Sequence, residues 1–369
     1  MPNYFAPTFQ VQINGTELNA DISMNIEEVS VTSEKDSMNT CSLTVANAYP
    51  EMRWTHTSDG RLFKEGNSVV VLMGYVDDLQ DVFNGEITAV TATFPESGGP
   101  SLKVDAKTRL HWLQGDKKTR TFKTMSDKQI AEQVGQAAGL SVQAQDPGVQ
   151  YPYVMQHNQT DLEFLNERAK RIHFEVLVED KTLLFREAQE TESETFTLVW
   201  GNTQAGLSGG SNILPLRSFS PTINTSNQVK KVTVRGYDPK SKQQIVGEAS
   251  NQDTTMGRSQ GGGSATASAF GKPTEYVRVN APVQSQAEAV AMAKAILNQR
   301  AMTFVTGQAE TIGVPELQWG KVVMVDGVGP RFSGLYYIQQ AVHALGSGGF
   351  TTSLTLNSNS ANPPGGASS

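Results

Sequence analysis

Short runs of alternating apolar and polar residues, separated by turn-forming residues, fill the first 115 positions of the chain. TFQVQI leads into Asn14-Gly15, a pair that accepts the positive φ of a tight hairpin turn. IEEVSVTSE places Ile26, Val29 and Val31 among its apolar positions, and CSLTVAN alternates at Leu43 and Val45. SVVVLMGYV, DVFNGEITAVTATF and SLKVDAKTRLHWL follow, with turn signals at Asn84-Gly85 and Ser97-Gly98-Gly99-Pro100. Many strands at this spacing, with almost no helical periodicity, predict an antiparallel barrel or sandwich.

Residues 116–204 read differently. Ser126 with Gln129 forms a capping box, Ile130, Val134 and Ala137 share a helix face, and Gly139 ends the helix. Thr160 with Glu163 opens a second helix carrying Leu162, Leu165, Ala169 and Ile172. FEVLV, a turn at Glu179-Asp180-Lys181 and TLLFRE then form a hairpin. The β pattern resumes from about 205 with QVKKVTVRGYD. A polar, Gly-rich stretch at 247–272 reads as a mobile loop, because it holds too little apolar surface to pack. Ser285 with Glu288 caps a third helix at 286–300, and strands close the chain up to 357. The tail, 358–369, reads as disordered.

The expected fold is therefore β-rich α+β, with two related antiparallel β-barrel domains and a small α/β insert between them. The first barrel spans 1–115, the insert 116–204 and the second barrel 205–357. A weak internal repeat supports this. Gly66, SVVVLMG, Phe83-Asn84-Gly85, EITAVTATF and SLKVDA match in order Gly320, KVVMVDG, Phe332-Ser333-Gly334, LYYIQQAVHAL and TTSLTL. Any two antiparallel meanders share some of this rhythm, so the repeat alone leaves both readings open.

Composition narrows the function. The chain has 369 residues, 38% of them hydrophobic and 18% charged, and no run of 18 apolar residues. The N-terminus lacks a basic, apolar leader, so synthesis without a signal peptide in a bacterial cytoplasm is expected. A net charge of −7 argues against nucleic-acid specificity. Lys117, Lys118, Arg120 and Lys123 form the one basic cluster, and they read as a solvated strand face.

Candidate chemistry is sparse. The single cysteine, Cys41, excludes an internal disulfide and reads as an inert thiol on a strand. The five histidines, His56, His111, His157, His173 and His343, show no ligand spacing, so no metal and no cofactor is expected. His157 near Asp161 is the closest approach to a catalytic pair, but the aspartate suits a helix N-terminus. Glu163 and Glu167, one turn apart, suit a solvated helix surface better than glycoside cleavage. Asp77-Asp78 lacks the rest of a calcium loop. No catalytic residue is assigned, and the chain is not expected to be an enzyme.

The segment YPYVMQHNQTDLEFLNERAKRIHFEVLVEDKTLLFRE resembles the phage late control gene D family. The resemblance rests on Tyr153, Gln156, Thr160-Asp161, Glu163-Phe164-Leu165, Ala169, and Leu183 to Phe185. VTVRGYDP and SQAEAVAMAKAILNQRAMTFVTGQAE agree with it, and it covers roughly residues 5 to 357. It implies a baseplate hub of a contractile injection system, similar to the hub part of type VI secretion spike proteins. The implied partners are two further copies in a homotrimer of pseudo-six-fold symmetry, a hexameric inner tube protein, a trimeric spike protein and other baseplate proteins. No membrane insertion by this chain is implied. The needle domains of type VI spikes and a fused lysozyme have no counterpart here, so a separate spike is expected. Trp112, Trp200, Trp319 and Tyr337 are interface anchors by residue type, with a core role as the other reading. A carbohydrate-binding or host-attachment module, a wall-processing tail enzyme, and another tube-initiator protein on the same barrel are the alternatives.

Overall fold

The structure, a computed structural model, describes residues 6–46, 62–76, 78–97, 99–188, 196–201, 212–238, 242–250, 256, 260–271 and 274–362. The first seven strands are β1 (Pro7–Ile13), β2 (Thr16–Glu17), β3 (Ile26–Glu34), β4 (Thr40–Ala46), β5 (Ser68–Tyr75), β6 (Asp78–Thr93) and β7 (Ser101–Lys107), with a short α1 (Ala20–Ser23) after β2. They pair in the order β2-β1-β5-β6-β7-β4-β3 and bury one face of each main strand. Val69, Val71 and Met73 of β5 are fully buried, as strict alternation requires when a barrel wall has one dry side. Asn14-Gly15 forms the expected turn, with φ of 50° and 77°.

Next come a 3₁₀ turn (Arg109–Gln114), β8 (Lys118–Ser126), α2 (Asp127–Ala137), β9 (Ser141–Ala144), β10 (Gln150–Gln159), α3 (Asp161–Arg171), β11 (Phe174–Glu179) and β12 (Thr182–Glu187). Both capping boxes are present, at Ser126/Gln129 and Thr160/Glu163. The helices pack on one face of the β11-β12-β9 sheet, while β8 and β10 form a ribbon around the same core. Phe164 of α3 lies parallel to Phe122 of β8, with ring centroids 5.5 Å apart.

The chain then enters β13 (Phe196–Trp200) and β14 (Ile213–Ile223), leaves for β15 (Lys231–Asp238), β16 (Gln243–Ala249), β17 (Gln260–Gly261), α4 (Gly262–Phe270), β18 (Glu275–Arg278) and α5 (Gln286–Ala301), and returns through β19 (Val305–Ile312), β20 (Val322–Asp326), β21 (Gly334–Gly346), β22 (Gly349–Ser358) and β23 (Ser360–Ala361). Strands β13-β20-β21-β22-β19-β14 close on themselves as a six-stranded barrel. In it β13 runs parallel to both its neighbours, a departure from a purely antiparallel wall.

Several sequence expectations need correction. The range 205–357 is not one barrel. Strands β15, β16 and β18 form a separate sheet under α5, with a core of Val232, Val234, Ile245, Ala289, Met292 and Leu297. Alternation looks the same in a barrel wall and in a sheet covered by a helix, so the pattern could not separate them. Conversely β13, assigned to the insert, belongs to the second barrel. Second, the stretch expected to be a mobile loop contains the end of β16, β17 and α4, and Met256 is buried with its N–H donated to Asn359 Oδ1 at 3.0 Å; residues 251–255, 257–259 and 272 lie outside the described residues. Third, Ser358 to Ala361 of the expected tail are buried, and 363–369 lie outside the described residues.

The internal repeat is a duplication of topology. In chain order, six strands of each barrel are arranged 1-4-5-6-3-2: β1, β3, β4, β5, β6, β7 in the first and β13, β14, β19, β20, β21, β22 in the second. Local details repeat as well. Gly66 N–H donates to Ile87 O at 2.9 Å, and Ile87 N–H to Asn67 O at 2.9 Å; Gly320 N–H donates to Ile338 O at 3.0 Å, and Ile338 N–H to Lys321 O at 2.9 Å. The two glycines have φ of 87° and 89°, a conformation that excludes most other residues. A bulge follows Ile87 in β6 and Ile338 in β21, and another follows Ile26 in β3 and Leu216 in β14. These bulges pair Gly85 with Tyr336, two residues away from the sequence-level match to Gly334. Asn84-Gly85 is no turn: it lies inside β6, where a Cβ on residue 85 would strike the Lys107 carbonyl.

Candidate assembly surface

Most residues singled out as candidate chemistry hold the fold together. Asp161 opens α3 with its carboxylate buried. It accepts from Lys118 Nζ at 2.6 Å, Arg120 Nη2 at 2.5 Å and Gln156 Nε2 at 3.0 Å. Two members of the basic cluster are thus tied to it, and His157 makes no hydrogen bond or ion pair with it. Glu163 accepts from the Thr160 N–H at 2.9 Å, and Glu167 from Gln159 Nε2 at 2.7 Å. The two carboxylates close a helix cap and brace a strand end. Asp78 accepts from Gln80 at 2.6 Å, and Asp77 lies outside the described residues, as does His56. His173 takes a positive φ of 61° between α3 and β11. Cys41 is buried, and burial first, with the Asp105 charge second, pushes its thiol far above the ordinary range. Among the described residues no group of His, Cys, Asp and Glu could hold a metal ion.

Charged clusters weld the modules. Glu86 of β6 receives Arg109 Nε at 3.1 Å and Trp112 Nε1 at 2.9 Å, with His111 Nε2 at 3.1 Å. Burial works against the Glu86 carboxylate, but the hydrogen bonds from Trp112 and His111 and the Arg109 charge outweigh it, so its pKa is lowered. Arg109 also reaches Asp180 Oδ1 at 2.7 Å, clamping the β11–β12 turn to the first barrel. Inside the insert, Arg168 Nε meets Asp127 Oδ1 at 2.6 Å and lies over the Tyr151 ring. Between the two α/β units, Arg171 donates to Pro282 O at 2.7 Å and Glu288 Oε1 at 3.1 Å.

The aromatic candidates divide. Tyr337 is buried beneath Lys35, Trp112 is spent on Glu86, and Trp319 is half-buried where its backbone N–H donates to Ser33 Oγ at 3.4 Å. Trp200 is half exposed at the end of β13 and remains a candidate anchor. A groove of about 920 Å³ runs between β6 and the outer face of the β11-β12-β9 sheet, lined in part by Asp81, Asn84, Gln143, Glu179 and Arg186. Burial and the nearby Asp180 raise the Asp81 carboxyl, although the Phe83 backbone bond opposes them. The groove is open and polar.

Sequence reasoning missed the surface that matters most, the seam between the barrels. Beyond Ile338, β21 parts from β20 but stays paired with β22, and its freed edge pairs with β3 from Gln340 opposite Glu34 to Leu345 opposite Val29, fusing both barrels into one sheet. Phe350 of β22 enters the core of the first barrel, and the Tyr75 hydroxyl donates to Gly313 O at 2.9 Å. His343 is fully buried in this seam, with Nδ1 3.0 Å from Thr352 Oγ1, and burial lowers its pKa to about 4.

Solved tail proteins share this overall fold. The chain resembles the 43 kDa tail protein of prophage MuSo2 from Shewanella oneidensis, with a TM-score of 0.68, 13% identity, and coverage of 95% of this chain and 98% of that one. It also resembles a tail protein from Neisseria meningitidis (TM-score 0.67, 15% identity, 97% and 100% covered) and an E. coli component of the type VI secretion system (0.54, 10%, 95% and 77%). By sequence the chain belongs to the family described as the Alg8 N-terminal domain, whose model matches residues 5–347. That family is not late control gene D, which the motif around Asp161 suggested. No curated protein matches the chain by sequence. No helix among the described residues is long and apolar enough to cross a membrane.

Proposed function

We propose that this chain is a structural baseplate hub of a contractile injection system. The duplication carries the reading: each copy brings two barrels of the same strand order, locked edge to edge. Three copies supply six similar barrels, a ring that offers pseudo-six-fold symmetry to a hexameric inner tube and true three-fold symmetry to a separate trimeric spike. Likeness in fold to tail proteins over nearly the whole chain supports it. The candidate carboxylates, used in caps and ion pairs, favour a structural role over a wall-cleaving one.

The test is the native mass of the purified chain, with and without its candidate spike. A particle of three times 39.9 kDa is the expected result. A monomer at every concentration, indifferent to the spike, overturns the trimer and favours a tail-borne binding module.

A further inference from the structure

The seam between the barrels joins two strand segments, and the duplication gives each of them a counterpart. Matching Ile338 to Ile87 makes residues 340–344 of β21 correspond to Ala89–Thr93 of β6. Matching Leu216 to Ile26 makes residues 30–34 of β3 correspond to 220–224, at the end of β14. In the seam the originals pair with each other. Their counterparts carry no such ladder among the described residues. β6 pairs with β5 only as far as Glu86, and β14 with β13 only as far as Leu216. Ala89, Thr91, Ala92, Thr93, Ser220 and Thr222 are exposed. Among the described residues each segment has one satisfied side, against β7 or β19, and one bare side, which is the condition under which a strand edge templates another chain.

We infer that the bare half of β6 pairs with the bare half of β14 in a second copy, in the register of the internal seam. Thr91 then lies opposite Thr222, as Val342 lies opposite Thr32; Val90 lies opposite Ile223, and Thr93 opposite Ser220. The contact joins different patches on the two copies, so repetition builds a ring when the rotation closes. This rests on the reading of the chain as a ring-forming hub and names the surfaces that form the ring.

One residue shapes the joint. In the internal seam Lys35 N–H donates to Gln339 O at 3.0 Å, which places Ser33 and Val31 in the phase whose backbone groups face β21. The counterpart of Val31 is Pro221, which offers a carbonyl but no N–H. The joint between copies therefore has one hydrogen bond fewer than the seam within a copy. The same proline makes the β14 edge a poor template for unrelated strands.

The experiment is a disulfide between copies. Thr91 and Thr222 fall at a non-hydrogen-bonded position, where paired Cα atoms lie about 4.5 Å apart, within disulfide reach. Cys41 is buried and does not compete. The full-length double variant Thr91→Cys/Thr222→Cys, mildly oxidised, is expected to give a ladder on a non-reducing gel that ends at one closed ring. Each single variant alone gives no product, and an equal mixture of the two gives a dimer only. Thr32→Cys/Val342→Cys, which bridges the internal seam, serves as the positive control for folding and oxidation. If wild type has a trimer's native mass and the control closes, yet the Thr91/Thr222 pair does not, the joint is overturned and the trimer stands. If wild type is a monomer and no cross-link forms, both fall. Dimers from either single variant would mean like-to-like contacts and also overturn the proposal.

Discussion

Acid should loosen the seam between the barrels through His343. Its imidazole is fully buried on β21, beside Thr352 and with the Phe350 ring centroid 6.5 Å away, and burial holds its pKa at about 4. In the unfolded chain it titrates near its ordinary value of 6.5. The neutral form is the one the fold accepts, so the folded pKa is depressed. The stability it contributes is present in full above about pH 6.5 and is lost as pH falls toward 4. A tenfold difference in proton affinity between the folded and unfolded chain is worth about 1.4 kcal/mol, so the loss reaches about 2 kcal/mol by pH 5 and about 3 kcal/mol by pH 4. Carboxylates add their own acid dependence, so the comparison must be with His343→Gln, which stays neutral. Urea unfolding from pH 7 to 4, followed by near-ultraviolet circular dichroism, should show the wild type losing about 3 kcal/mol more than the variant over that range. Equal losses in the two proteins would refute the buried, neutral histidine.

Three further outcomes are expected. Arg168→Met leaves Asp127 charged and buried without its partner, and urea unfolding should show a loss of about 3–5 kcal/mol, much of it recovered in Asp127→Asn/Arg168→Met. Gly247→Ala places a Cβ against the Ala289 backbone, forcing α5 off its sheet, and thermal unfolding should register about 1–3 kcal/mol of destabilisation. Cys41, buried on β4 with its thiol pKa raised, should resist a thiol reagent in the native protein and react once in denaturant; fast native labelling would contradict its burial in the core of the first barrel.

Some of this molecule is legible in its sequence because the signal is local. The caps at Ser126 and Thr160 need only a hydroxyl and a side chain three residues on, and both boxes form. Asn14-Gly15 makes its turn because both residues tolerate positive φ. Asn84-Gly85 carries the same signal and fails, because that glycine answers to the Lys107 carbonyl on the neighbouring strand. The motif around Gln156 and Asp161 stands out in sequence for a comparable reason. It builds one buried ion cluster from a strand, a cap and a helix.

Alternation in β15 and β16 correctly marks strands but says nothing of what covers them, and only the packed α5 separates that unit from the barrels. Three of the six repeated strands, β5 to β7 against β20 to β22, could be matched in the sequence, whereas the full order came from the sheet and the exact correspondence from the bulges after Ile87 and Ile338. The seam lay beyond reach altogether: Glu34 and Gln340 meet across some three hundred residues. Nothing in either segment names the other, since backbone hydrogen bonds are the same for every strand. Local chemistry, written in neighbouring residues, sets caps, turns and strands. Which edge meets which is decided only when the whole sheet closes, because that choice depends on twist, bulge and register summed over every strand between them.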